Sequence, residues 1–127
     1  MSELSKERPK YLNLFQIKLP LPGIVSFLHR VSGAGLFLML PLILWLFTAS
    51  LGDPAAWAGY KAVISNVFVK LFLIVILAGY CYHFCAGIRF LFMDMGKGVE
   101  LPAARRSSVM VLAGATLLTV IIGVKLW

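Results

Sequence analysis

Apolar residues in this chain do not alternate with polar ones; they gather into long runs broken at a few points. The first run, Val31 to about Leu51, carries no charge. A second uncharged core, Leu71 to Ile88, is framed by Lys70 and Arg89, and a third, Ser107 to Val124, by Arg106 and Lys125. A helix of about 18 residues rises ~27 Å, close to a hydrocarbon core of roughly 30 Å. Each run is therefore long enough to cross a bilayer once. The pattern predicts an all-α integral membrane protein with three transmembrane helices, at about 24–51, 67–92 and 107–126. They belong to a single membrane-anchor domain over 1–127, of which 1–22 is a cytoplasmic or interfacial segment.

The connections are short. Gly52-Asp53-Pro54 breaks the chain after the first span, and Trp57 and Tyr60 follow where interfacial aromatics prefer to lie. Lys97 to Arg106, with Gly98 and Pro102, links the second and third spans. Pro20 and Pro22 argue against a helix running through them, so residues 11–22 should lie along the surface. The first helix should then begin near Gly23 or Ile24, with Ser26, His29 and Arg30 in its opening turns at the membrane interface. Pro41 should kink this helix, which membrane spans tolerate.

Composition agrees: 61% of the 127 residues are hydrophobic and 13% charged, too few polar groups to cover a soluble domain. No room remains for a soluble catalytic domain, so any chemistry lies within the bilayer, at its edge, or on a partner. The net charge of +7 then reads as orientation and contact with membrane lipid, with no nucleic acid implied. Lys6, Arg8, Lys10, Lys18 and Arg30 lie before or at the start of the first span, and Arg89, Lys97, Arg105 and Arg106 around the second connection. Only Lys61, Lys70 and Lys125 fall on the other side. This asymmetry puts the N-terminus in the cytoplasm (or a mitochondrial matrix) and the C-terminus outside, in the bacterial case the periplasm. The basic N-terminus is not followed closely by a hydrophobic stretch with a small-residue cleavage site, so no removable signal peptide is expected. Cys81 and Cys85, one turn apart in the second span, read as small core residues.

Candidate chemistry centres on His83. An ionisable group inside a span is costly and is a functional hypothesis by default. Gly79, Ala86 and Gly87 share its helix face and would open a groove for a flat macrocycle, and neutral imidazole is an axial ligand of haem iron. Two other readings stand beside ligation: a histidine hydrogen-bonded to a neighbouring helix with glycines serving packing, and a proton relay. Ser26 and Arg30 share another face at the cytoplasmic end, where a guanidinium could meet a haem propionate or a quinone carbonyl. Arg30 could equally be one more headgroup anchor. Arg89 and Asp94, five residues apart, suit a direct helical pair poorly, so each should meet another helix or a partner as polar support; for Asp94 a solvated helix end is an equal reading. Six residues separate His83 from Arg89, which places His83 about 9 Å inside the cytoplasmic boundary. On that count His29 is too shallow to oppose it, and the first span reaches its depth near Leu36 to Met39. Met39 or Met110 would be the only ligands from within the chain, so a histidine on another polypeptide is the better expectation.

Arg8-Pro9, the string Ser26-Phe27-Leu28-His29-Arg30-Val31-Ser32-Gly33, and the string from His83 through Gly87-Ile88-Arg89 to Asp94 together resemble one family. It is the cytochrome b membrane-anchor subunit of bacterial succinate dehydrogenase, respiratory complex II, over about Arg8 to Trp127. The resemblance implies a non-catalytic electron-transfer subunit of the bacterial inner membrane. It implies haem b held by His83 and by a companion small membrane-anchor subunit. It implies a ubiquinone site including Ser26 and Arg30, with His29 and Arg30 near the haem propionates. The iron–sulfur and flavoprotein subunits would oxidise succinate on the cytoplasmic side. Where many members carry a histidine after the arginine of the second string, this chain has Phe90, so the propionates would lean harder on His29 and Arg30. An equivalent anchor of a quinol:fumarate reductase and a haem-free membrane scaffold are the competing readings.

Overall fold

The computed structural model describes residues 16–127. Lys6, Arg8 and Lys10, the Arg8-Pro9 motif and the first part of the expected surface segment lie outside the described residues. Four helices follow in order: α1 (Leu21–Ser50), α2 (Pro54–Ile64), α3 (Val67–Asp94) and α4 (Leu101–Leu126). All but α2 are long and apolar enough to cross a membrane. Among the described residues there is no strand.

Two helix starts come earlier than the sequence suggested, for one reason. Proline disrupts a helix interior but suits its first turn, where its missing N–H had no partner to lose. Pro22 and Pro102 each occupy such a position, so α1 begins at Leu21 rather than Gly23 or Ile24, and α4 at Leu101 rather than Ser107. Arg105 and Arg106 consequently stand on the first turns of α4. The aromatic segment after the first span is the helix α2, capped by the Asp53 carboxylate accepting from the Ala56 amide at 2.8 Å. Trp57 and Tyr60 stack there at 5.2 Å. At the start of α3 the Asn66 side chain accepts from the amides of Phe68 and Val69. At its end Gly96, with φ 73°, lets the Gly96 and Lys97 amides turn back onto the carbonyls of Met93 and Phe92.

The core is thin, as expected where lipid or another subunit covers the apolar surface. Helix α3 packs against α4 and α1, and α1 touches α4. Val25, Ala86 and Val111, one from each long helix, are buried together near one end of the bundle, with Tyr82, Cys85 and Phe90 packed around them. Only Val25 and Leu46 of α1 are buried; Phe27, Phe37, Leu38 and Trp45 are all exposed. The hydroxyls of Ser108, Thr116 and Thr119 each donate to the carbonyl four residues back, so they carry no unmet polar demand into the apolar surroundings.

Candidate functional site

The site lies where α1 and α3 run antiparallel at close range. Val25 sits at the centre of the buried cluster, and the Tyr82 hydroxyl donates to its carbonyl at 2.7 Å. That contact sets the register of the two helices. One residue beyond Tyr82, the His83 ring projects onto α1 and meets two of its turns. Its Nδ1 lies 3.1 Å from the carbonyl oxygen of His29 and 3.1 Å from Ser32 Oγ. The Ser32 hydroxyl itself donates to the same carbonyl at 2.9 Å.

Glycine makes this approach possible. A Cβ on Gly33 would stand 2.9 Å from His83 Cε1, closer than carbon atoms normally come, so any side chain there displaces the ring. Gly87 on α3 lies beside His29, where a Cβ would stand 3.6 Å from Nε2, an ordinary van der Waals contact. The two imidazoles end up stacked, with centroids 4.1 Å apart and planes 8° from parallel. Phe90 tilts against His29 at 5.1 Å.

His29 is therefore level with His83, which corrects the depth expected from residue counting. Counting inward from Arg30 and Arg89 requires both to mark one membrane boundary. Arg89 is no such marker: it is buried, with Nε donating to Ser107 Oγ at 2.9 Å and Nη2 to the Ala104 carbonyl at 3.4 Å. The partner of His83 on α1 is Gly33, about a turn from the expected Leu36–Met39 stretch. His29 still cannot oppose His83 across a metal, because stacked rings present their nitrogens side by side. Met39 and Met110 line other grooves, the first beside Gly79 and the second between α3 and α4.

Gly79, expected on the His83 groove, faces elsewhere. It lines a cavity of about 270 Å³ with Ser32, Gly35, Met39 and Phe72, and no atom lies within 4 Å of a Cβ built on it. His83 opens instead onto a groove of about 430 Å³ bounded by Gly33, Leu36, Phe37, Leu40 and Tyr80. Ser26 is half-buried beside Val25, and Arg30 is exposed one turn on. Asp94 is exposed at the end of α3, and Arg89 bonds to α4 instead. Among the described residues two buried side-chain nitrogens have no hydrogen-bond partner: His29 Nε2 and Arg89 Nη1. Nor does any group of three or more His, Cys, Asp or Glu among those residues suit a bare metal ion. Cys81 and Cys85 are free thiols.

Ser32, Gly33 and Tyr82 thus belong to the site, although the sequence assigned none of them a role. A tyrosine hydroxyl in an apolar run must find an acceptor, and this is the one signal available for Tyr82. Ser32 and Gly33 stand inside the string Ser26 to Gly33, but only the crossing of α1 and α3 brings them to His83.

Residues 5–122 match the family described as the succinate dehydrogenase/fumarate reductase transmembrane subunit. Among curated proteins, the chain is 31% identical to the succinate dehydrogenase cytochrome b556 subunit of Coxiella burnetii, over 98% of this chain and 100% of that one. It is 33% identical to the protein of the same name from Paracoccus denitrificans, over 90% and 88% of the two chains. With that of Rickettsia prowazekii the identity is 30%, over 96% and 95%.

Proposed function

Because the chain belongs to the succinate dehydrogenase/fumarate reductase transmembrane subunit family, we propose that it is the subunit through which such a complex holds haem b and presents quinone to its electron donors. Membership makes it a membrane anchor of the complex, a multi-pass protein of the bacterial inner membrane. The finer roles are our reading of the site.

The observation that carries it is the state of the His83 ring. Nδ1 is engaged by α1, while among the described residues no hydrogen bond occupies Nε2. A histidine whose one nitrogen is anchored and whose other is free is prepared to ligate. The ring borders a groove walled by Gly33 and apolar side chains, an environment that suits a flat macrocycle. The orphaned His29 Nε2 needs a partner that a propionate would supply. Haem bound there would accept and return single electrons. The chain's own residues would hold it: His83 would ligate the iron, and His29 and Arg30 would meet the propionates. A second ligand would come from a companion small anchor subunit, since His29, Met39 and Met110 are all unsuited to oppose His83.

Ser26 and Arg30, four residues apart on α1, share a face at the same end of the bundle. Their hydroxyl and guanidinium donors would bind a ubiquinone carbonyl, completed by surfaces of the iron–sulfur subunit, with the flavoprotein subunit beyond it. That end is cytoplasmic by the distribution of basic residues. The match to relatives named as dehydrogenase subunits favours succinate oxidation over fumarate reduction.

The test is the reduced-minus-oxidised spectrum of the purified complex, wild type against His83→Ala. We expect a b-type signal in the wild type that the substitution removes. An unchanged spectrum in the variant excludes ligation by His83 and leaves the ring a packing residue.

A further inference from the structure

Three polar atoms close a small triangle at the α1–α3 contact: His83 Nδ1, Ser32 Oγ and the His29 carbonyl oxygen. Nδ1 lies 3.1 Å from each oxygen, and the two oxygens are 2.9 Å apart. The carbonyl can only accept. If Ser32 gave its proton to Nδ1, that nitrogen and the carbonyl would be two acceptors 3.1 Å apart with no proton between them. If instead Nδ1 carries the proton, it donates to the carbonyl and to Ser32 Oγ, while the Ser32 hydroxyl donates to the carbonyl. Every atom is then satisfied, and the ring's lone pair falls on Nε2.

We propose that Ser32, beside the His29 carbonyl that selects the His83 tautomer, is a positioning residue that helps fix the ring and raises the donor strength of Nε2. The proposal rests on the assignment of His83 as a haem ligand. Gly33 sets the ring's distance from α1 on one side and the triangle sets its rotation on the other. A ligand on α3 is in this way tuned by residues of α1. An acceptor on the far nitrogen makes an imidazole more basic toward iron, and a more basic ligand favours the ferric state. Loss of the Ser32 oxygen weakens that effect without abolishing the tautomer, because the carbonyl remains.

The experiment uses the whole complex purified from membranes as wild type, Ser32→Ala, Ser32→Thr and His83→Ala. Haem per complex, the potentiometric midpoint of the b-type band and the low-spin electron paramagnetic resonance spectrum are read in each. Succinate oxidation by a soluble acceptor serves as the check on assembly. Ser32→Ala should assemble and keep its haem, with the midpoint moved to higher potential and altered g values. Ser32→Thr, which restores the hydroxyl, should bring both back toward wild type. A Ser32→Ala complex with wild-type midpoint and g values, beside a His83→Ala complex without haem, overturns the proposal and leaves ligation intact. A fall in haem that Ser32→Thr does not rescue also overturns it, because Ser32 would then be packing alone. Wild-type haem in His83→Ala removes the ligation reading itself, and the tuning role with it.

Discussion

At the contact between Gly33 and His83 a single methyl group decides the geometry. Gly33→Ala places that methyl 2.9 Å from Cε1, so the ring must rotate or the helices separate; overpacking of this kind costs about 1–3 kcal/mol. The expected outcome is haem affinity lowered by about tenfold, the lower end of what disturbing a ligand's support costs, read as a loss of bound haem. Haem per mole of assembled complex is the measurement. Gly79→Ala is the matched control: its Cβ meets open space, and haem content and spectrum should stay at wild type. Ser26→Ala and Arg30→Ala test the other half of the site. Each should depress succinate:quinone reduction while leaving succinate oxidation by a soluble acceptor in place. An equal fall in both activities would make the pair structural.

The long helices are joined by side chains that reach from one to the next. Arg89 is the main tie between α3 and α4: it is 6% exposed, bonds to Ser107 and Ala104, and lies 5.0 Å over the Phe90 ring. A hydrogen bond made by a buried charged group is worth about 1.5–3 kcal/mol. Arg89→Ala should therefore lower the temperature at which the detergent-solubilised complex dissociates. Arg89→Lys should recover only part of it, because an ammonium cannot span both acceptors as the guanidinium does. Equal thermal stability in all three forms would show that the tie contributes nothing. Tyr82 performs the corresponding task between α3 and α1 through the Val25 carbonyl.

Taken whole, the molecule leaves most of its large apolar side chains exposed, and the groove beside His83 is open on one side. Both features fit a subunit that completes itself against others. Expressed without the companion anchor proposed above, the chain should reach the membrane but lack the spectrum of a six-coordinate low-spin b haem. Co-expression should restore that spectrum; its appearance in the isolated chain would mean that the second ligand is internal. Enzyme fusions check the orientation. Alkaline phosphatase fused after Trp127 should be active, and the same enzyme inserted between α3 and α4 should be inactive.

Much of this protein is written in the chain itself. Runs of uncharged apolar residues require helices that satisfy their own backbone in lipid, and the uneven distribution of lysine and arginine predicts which way they face. A histidine in such a run is costly, so His83 stands out from the sequence alone. The crossing of α1 and α3 is different. Counting residues from the charged ends fails because Arg89 turns inward to α4, and a charge satisfied inside the bundle no longer marks the membrane surface. Only tertiary structure could set Gly33 and Ser32 against His83, stack His29 beside it and turn Gly79 away. Those placements depend on how one helix is rotated and shifted against another, which Val25 and Tyr82 decide through packing and a single hydrogen bond.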